Sequence, residues 1–229
     1  LDSSFAAVLV SEWHHGNSKQ EYPLWLLQML RPALPADGLD IAKVYLATWN
    51  SHQGDLTRTE ASNGSNAKDK DFHCQEVLRQ QAERFTNFVS TGNRLFIVAE
   101  AERQNADRQL CAFISYGRSY TREGFGEVMQ LFVHPDFQRK GLGSKLLREA
   151  WTQMKSRDWS AQGCHVWCTK GNPANRVYEQ VGWFRTGKQK SLNPTLSEEP
   201  VEVEEYLAPK ETRLLDLLRV KLSSCCGWM

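Results

Sequence analysis

From Glu127 to Thr169 the chain reads as strand, glycine-bearing turn, helix and strand, and few architectures accommodate that order. Glu127 to His134 is a strand pattern, Gly143 to Arg157 carries Leu147, Ala150, Trp151 and Met154 along one helical face, and Gly163 to Thr169 is a second strand. Such a unit makes its two strands parallel and its crossover right-handed. Just upstream, Asn93 to Glu100 and Gln109 to Tyr116 are rich in β-branched, aromatic and aliphatic residues. They are joined by a polar turn around Asn105 and Asp107, which predicts an antiparallel hairpin. The expected fold class is α/β of the α+β type: a mixed, mostly antiparallel sheet with one central parallel pair, flanked by helices.

The remaining segments are read from the same periods. The apolar run Leu24 to Leu30 leads into Arg31-Pro32-Ala33 and Pro35, a first strand stopped by turn residues. Asp37 or Asp40 is expected to cap a helix through about Trp49, with Ile41, Val44, Tyr45 and Leu46 as its apolar face. Ser51 to Asp71 has the polar composition of a mobile loop, and a second helix is expected from about Phe72 to Val89. A short helix from Pro173 to Val181 stops at Gly182, and strands follow at Trp183 to Lys188 and Val201 to Leu207. Leucines at 214, 215, 218 and 222 give Thr212 to Leu222 an amphipathic helical spacing, suited to covering the sheet or meeting a partner such as a second copy of the chain. The expected organisation is an extension over residues 1–23, one domain over 24–208 and a helical tail over 209–229.

Composition narrows the function classes. A formal net charge of +1 gives no general pull toward nucleic acid or another polyanion. No apolar run reaches the roughly 18 residues that cross a bilayer, and Phe5 to Val10 has no basic segment before it. The chain begins at Leu1 rather than Met, and the expectation is a cytoplasmic protein with no membrane partner. Six cysteines are scattered and two are adjacent, Cys225 and Cys226, so reduced thiols are expected. Cys164, His165 and Cys168 resemble a ligand set, but strand alternation puts the cysteines on one face and His165 on the other. No metal site is therefore expected.

Gln138-Arg139-Lys140-Gly141-Leu142-Gly143-Ser144 lies where a strand gives way to a helix. The unpaired N–H groups and the dipole of a helix start favour an anion there. Gly141 and Gly143 let backbone approach a phosphate, and Arg139 and Lys140 add positive charge at the rim. Taken alone, the stretch also reads as an ordinary strand-to-helix turn.

With its neighbours, this loop resembles the GNAT acetyltransferase superfamily. Gln138, Gly141 and Gly143 match that family's Gln/Arg-x-x-Gly-x-Gly/Ala signature. Leu131-Phe132-Val133-His134-Pro135 resembles its fourth strand and bulge, and Asn172, Tyr178 and Gly182-Trp183 resemble a second signature in which Phe often stands at the Trp183 position. The resemblance runs from about Leu24 to Lys188 and is tightest from Glu127 to Trp183. It implies splayed fourth and fifth strands with acetyl-CoA between them. Leu131, Phe132 and Val133 would border the pantetheine arm, Gln138, Arg139, Lys140, Gly141, Leu142, Gly143 and Ser144 would hold the pyrophosphate, and Asn172 would bond the cofactor or cap its helix.

The implied reaction is direct attack of a primary amine on the thioester in a ternary complex. An amine with a pKa near 10 must first lose a proton. Glu127 stands where the histone-acetylating branch of the family has its glutamate, eleven positions before Gln138, and is the first candidate base. Alternation puts it in phase with Leu131 and Val133 unless a bulge intervenes. His134 and Glu123 are fallback bases, and His134 also suits a strand-end cap. The Val133 N–H is the expected oxyanion donor and Tyr178 the expected acid for the departing thiolate, a core tyrosine being its bland alternative. The favoured acceptor is a small-molecule amine, with a protein N-terminus or lysine as runner-up. A non-catalytic acyl-CoA-binding module is the rival from another class. Tyr45 and Trp49 suit either a pocket wall or the core, and the carboxylates from Glu198 to Glu205 have no assigned place.

Overall fold

The computed structural model describes residues 29–53, 67–102, 108–192 and 200–209. The readings for residues 1–28 and for the helix at Thr212 to Leu222 lie outside these. Among the described residues one sheet holds seven strands: β1 (Met29–Pro32), β2 (Leu95–Glu102), β3 (Arg108–Arg118), β4 (Phe125–Val133), β5 (Gly163–Thr169), β6 (Phe184–Leu192) and β7 (Val201–Leu207). Their order is β1-β2-β3-β4-β5-β7-β6, every pair antiparallel except the parallel β4–β5 pair. The hairpin, the parallel pair and the mixed sheet are as the periodicity implies.

Alternation along the strands builds two cores. Phe96, Val98, Phe113 and Phe132 meet Ile41, Val44 and Tyr45 of α1 (Gly38–Gln53) and Phe85 of α2 (Ala67–Thr91). On the opposite face Ile97, Ala99, Ala112, Ile114 and Val128 meet Leu142, Leu146, Leu147, Ala150 and Met154 of α3 (Leu142–Lys155). Each fully buried Leu, Ile, Phe or Met stabilises the fold by about 1.5–3 kcal/mol relative to exposure, so the sheet is clamped from both sides. The short helix α4 (Arg176–Gln180) ends at Gly182 with φ 89°, the left-handed stop expected there. Among the described residues no helix is long and apolar enough to cross a membrane.

Three local expectations change. Asp37 does not cap α1; it closes a 3-10 turn (Pro35–Asp37), accepting from Leu34 N–H at 2.6 Å while Arg31 grips its carboxylate at 2.7 Å. That grip holds the Asp37 carboxyl below its ordinary value. The polar stretch from Ser51 to Asp71 is helical at both ends, α1 running to Gln53 and α2 beginning at Ala67. Polar residues with fair helix propensity extend a helix whose buried turns are already anchored. Finally, β4 is irregular: Ser115 pairs with Gln130 but Tyr116 with Val128, so Met129 is an inserted bulge.

Candidate active site

The bulge decides which way Glu127 faces. Val128, Leu131 and Val133 all pack on the α3 side, although alternation alone would oppose Val128 to the other two. Met129 absorbs the difference, leaving Glu127 in phase with Gln130 and Phe132 on the α1–α2 side. The expected alignment of Glu127 with Leu131 and Val133 is therefore corrected. The bulge also sits earlier than the Leu131 to Pro135 stretch expected to hold it.

Beyond Val128↔Val166 the parallel pairing stops, though β4 continues to Val133 and β5 to Thr169. A gap opens between them. His134 N–H donates to Cys111 O at 2.9 Å, and antiparallel ladders bond at alternate residues, so Phe132 and Gln130 turn their backbone groups to β3. Leu131 and Val133 turn theirs toward the gap. Phe132 is corrected as a gap residue: its ring stacks on Phe113 at 5.5 Å and meets Tyr45 edge-on at 5.0 Å. The Val133 carbonyl is already engaged, accepting from Thr48 Oγ1 and Gln138 Nε2, each at 3.1 Å. Gln138 thereby ties the loop to the end of β4.

The loop after it is shaped for an anion. Arg139 has φ 60° and Gly141 φ 79°, two left-handed residues flanking Lys140 in the turn that leads into α3. Gly141 is the N-cap of α3 and no side chain caps the helix, so the N–H groups of Leu142, Gly143 and Ser144 open the first turn. A Cβ at Gly141 would meet nothing within 4 Å, so the left-handed backbone is what calls for glycine. At Gly143 a Cβ would lie 3.3 Å from Val177 Cγ2 and 3.9 Å from Val133 Cγ2. Close packing of α3 against α4 and the end of β4 thus explains Gly143 at least as directly as phosphate approach. Lys140 Nζ donates to Asp136 O at 2.9 Å, bracing the loop from outside.

Tyr178 is buried on the α3 side against Cys168, with Tyr206 at 5.4 Å and Trp183 at 6.0 Å between ring centres. Burial and the neighbouring Cys168 hold its hydroxyl proton well above the ordinary tyrosine value. Tyr178 and Glu127 therefore face opposite sides of the sheet. Asn172 Oδ1 accepts from Ala174 N–H at 2.8 Å and so caps the turn into α4.

On the α1–α2 face Glu127 stands in a buried polar cluster. Its Oε2 accepts from Ser119 Oγ at 2.9 Å, and Ser119 Oγ is 2.8 Å from His165 Nε2. His165 Nδ1 lies 3.3 Å from Glu205 Oε1 without hydrogen-bond alignment, and Glu205 accepts from Arg122 Nη1 at 2.7 Å and Thr186 Oγ1 at 2.9 Å. The side chains of His165 and Glu205 are 0% exposed. Burial works against the Glu205 charge, yet the Thr186 and Arg122 bonds and the charges of Arg122 and His165 bring its carboxyl below the ordinary value. Burial lowers the His165 pKa, with Glu127 and Glu205 opposing.

Residues 92–184 match the acetyltransferase (GNAT) domain. Over that stretch, 93 of the 229 residues, the chain is similar to GNAT acetyltransferases. No curated protein sequence matches the chain. Among solved structures, NAA60 of Arabidopsis thaliana with a bisubstrate analogue is 14% identical over 79% of this chain and 97% of its own, with a TM-score of 0.53. The ribosomal-protein-alanine N-acetyltransferase of Brucella melitensis is 16% identical over 80% and 99%, at 0.52. The yncA protein of Salmonella typhimurium, solved with its cofactor acetyl-CoA, is 19% identical over 80% and 95%, also at 0.52. At these identities the likeness is one of fold.

The buried polar cluster contains residues that no sequence motif marks. Ser119, Arg122 and Glu205 carry no motif, and strand alternation says of His165 only that it faces away from the cysteines. One signal was available: Glu204 and Glu205 are consecutive in a strand, so one carboxylate falls on each face, an expensive choice unless both are paired. Of the fallback bases, His134 Nδ1 accepts from Asp136 N–H at 3.4 Å, the strand-end cap, and Glu123 is exposed in the turn before β4. Tyr45 is core, 4% exposed. Cys111, Cys164 and Cys168 are free and buried, and no metal cluster occurs among the described residues.

Proposed function

We propose that this chain transfers an acetyl group from acetyl-CoA to a primary amine, by direct attack within a ternary complex. The observation that carries the reading is the β4–β5 gap, bordered by the backbone of Leu131 and Val133 and adjoining the uncapped start of α3. An extended pantetheine arm adds to β4 much as another strand would, and its pyrophosphate meets the N–H groups from Arg139 to Ser144. Asn172 borders the same end of β5 and, with its Oδ1 spent on the cap, has its amide N–H left for the arm.

The chemistry divides between the faces. Glu127, 14% exposed and at the mouth of the gap, accepts the proton that frees the amine for attack. The Val133 N–H, whose carbonyl is held by Thr48 and Gln138, donates to the developing oxyanion. Tyr178 serves the departing thiolate from the other side. So tightly held a hydroxyl proton makes it a hydrogen-bond donor throughout the step, with transfer completed late. The acceptor is a small amine on this reading.

The test is an acceptor screen that follows CoA release across small amines, polyamines, lysine peptides and peptides with free N-termini, for wild type and Glu127→Gln. Turnover with one acceptor class, lost by at least about 100-fold in Glu127→Gln with acetyl-CoA affinity kept, is the expected result. Tight acetyl-CoA binding with no turnover on any class would leave a binding module instead.

A further inference from the structure

We propose that Ser119, His165 and Glu205 form a buried proton relay behind Glu127, in which a proton taken up by Glu127 passes through the Ser119 hydroxyl to His165 and Glu205 holds the imidazolium. The inference rests on Glu127 acting as the base. The atoms are contiguous: Glu127 Oε2 to Ser119 Oγ is 2.9 Å, Ser119 Oγ to His165 Nε2 is 2.8 Å, and His165 Nδ1 to Glu205 Oε1 is 3.3 Å. His165 Nδ1 is buried without a hydrogen-bond partner, an expensive state for a ring that serves only packing.

Proton counting shows why the chain of atoms conducts. Ser119 has one hydroxyl proton, and its oxygen already accepts from the N–H groups of Thr121 at 3.2 Å and Arg122 at 3.1 Å. That proton can go to Glu127 or to His165 Nε2, not to both. Before the reaction Ser119 donates to Glu127 Oε2, and the single ring proton sits on Nδ1 toward Glu205; once Glu127 is protonated, the Ser119 hydroxyl turns to Nε2. When the substrate N–H breaks, an O–H forms on Glu127. Its proton then moves to Ser119 Oγ as the original Ser119 proton moves to Nε2. Glu127 is a carboxylate again, Ser119 donates to it, and His165 carries the added charge. Between turnovers the proton returns the same way and leaves through Glu127, the partly exposed member.

The surroundings set when this happens. The ring is faced by Glu127 from β4, Glu205 from β7, Arg122 from the turn before β4 and Lys190 from β6. Phe125 and Trp167 flank it edge-on at 6.0 and 6.4 Å. Arg122, Lys190 and burial oppose an imidazolium while the two carboxylates favour it. The ring is thus neutral at pH 7 until Glu127 supplies a proton. Ser119, His165 and Glu205 are positioning residues: they act through Glu127 and touch no substrate.

The experiment measures kcat/KM for the amine against pH in wild type, Ser119→Ala, His165→Gln and Glu127→Gln. His165→Gln and Ser119→Ala are each expected to move the acid limb down by about one pH unit and to lower kcat about tenfold, with KM for acetyl-CoA unchanged. The double variant should be no worse than either single one. An acid limb that stays put in both variants while Glu127→Gln is inactive overturns the relay and leaves the base reading standing. Wild-type kcat in Glu127→Gln removes both. Should the buried variants fail to fold, 15N spectra of the wild-type imidazole decide: both ring nitrogens should gain protons in one step that shifts in Glu127→Gln. A ring that keeps one proton from pH 4.5 to 8, or titrates identically in Glu127→Gln, overturns the proposal.

Discussion

Replacing Arg122 by Met should destabilise the fold in a way that depends on pH. Arg122 Nη1 is 2.7 Å from Glu205 Oε1; the carboxylate side chain is 0% exposed and the arginine 25%. Removing one partner of a fully buried pair costs about 3–5 kcal/mol, because the other charge is left without compensation. Here the figure is lower, since Arg122 is partly solvated, Thr186 still donates to Glu205 at 2.9 Å and Lys188 Nζ lies 4.0 Å away. Methionine also keeps some cover over Phe125, whose ring lies 3.7 Å from the guanidinium. A loss of about 2–3 kcal/mol at pH 7.5 follows, or roughly 1 M in urea midpoint.

The sign of the pH effect comes from linkage. In the wild type the Glu205 carboxyl sits below its ordinary value of 4.5, so its contribution is complete above that pH and is lost as pH falls through the folded value. Without Arg122, burial lifts the folded value above 4.5. The penalty is then present at pH 7.5 and shrinks as pH falls through the raised value. His165 adds to the relief: Arg122 is one of the groups holding its pKa below 6.5, and an imidazolium beside Glu205 forms more readily once that charge is gone. Urea unfolding at pH 7.5 and 5.5 should therefore show the deficit falling to about 1 kcal/mol at the lower pH. A deficit under about 0.5 kcal/mol at pH 7.5, or one equal at both pH values, would refute the picture of a buried carboxylate neutralised by Arg122.

Two further perturbations separate function from stability. Tyr178→Phe should lower turnover about 10- to 100-fold with acetyl-CoA affinity retained and stability within about 1 kcal/mol of wild type; turnover unchanged across pH removes Tyr178 from the leaving-group role. Ser144→Glu places a carboxylate in the first turn of α3, where the helix dipole gains about 0.3–1 kcal/mol from it, yet acetyl-CoA affinity by calorimetry should drop at least tenfold. Normal affinity in that variant ends the assignment of the loop as a phosphate cradle.

The parts legible in the sequence are those set by local rules. The strands Gly163–Thr169 and Val201–Leu207 have their expected bounds, and the left-handed stop at Gly182 follows from glycine's freedom. The face of Glu127 was not legible, because the Met129 bulge carries no glycine or proline to announce it. The partners of Glu127 were hidden for a different reason. Chain order suggests β6 as the neighbour of β5, but β7 inserts between them, pairing His165 with Leu207 and Trp167 with Glu205. Such long-range pairing leaves no periodic trace.

That insertion also orders events in the making of the protein. While the chain is being synthesised, residues 163–169 present an open strand edge until residues 201–207 arrive. His165 waits equally long for its carboxylate. A nascent chain halted before Val201 would expose both faults together, an adhesive edge and an unfinished charge cluster, so chemical competence and closure of the sheet should emerge in one late step.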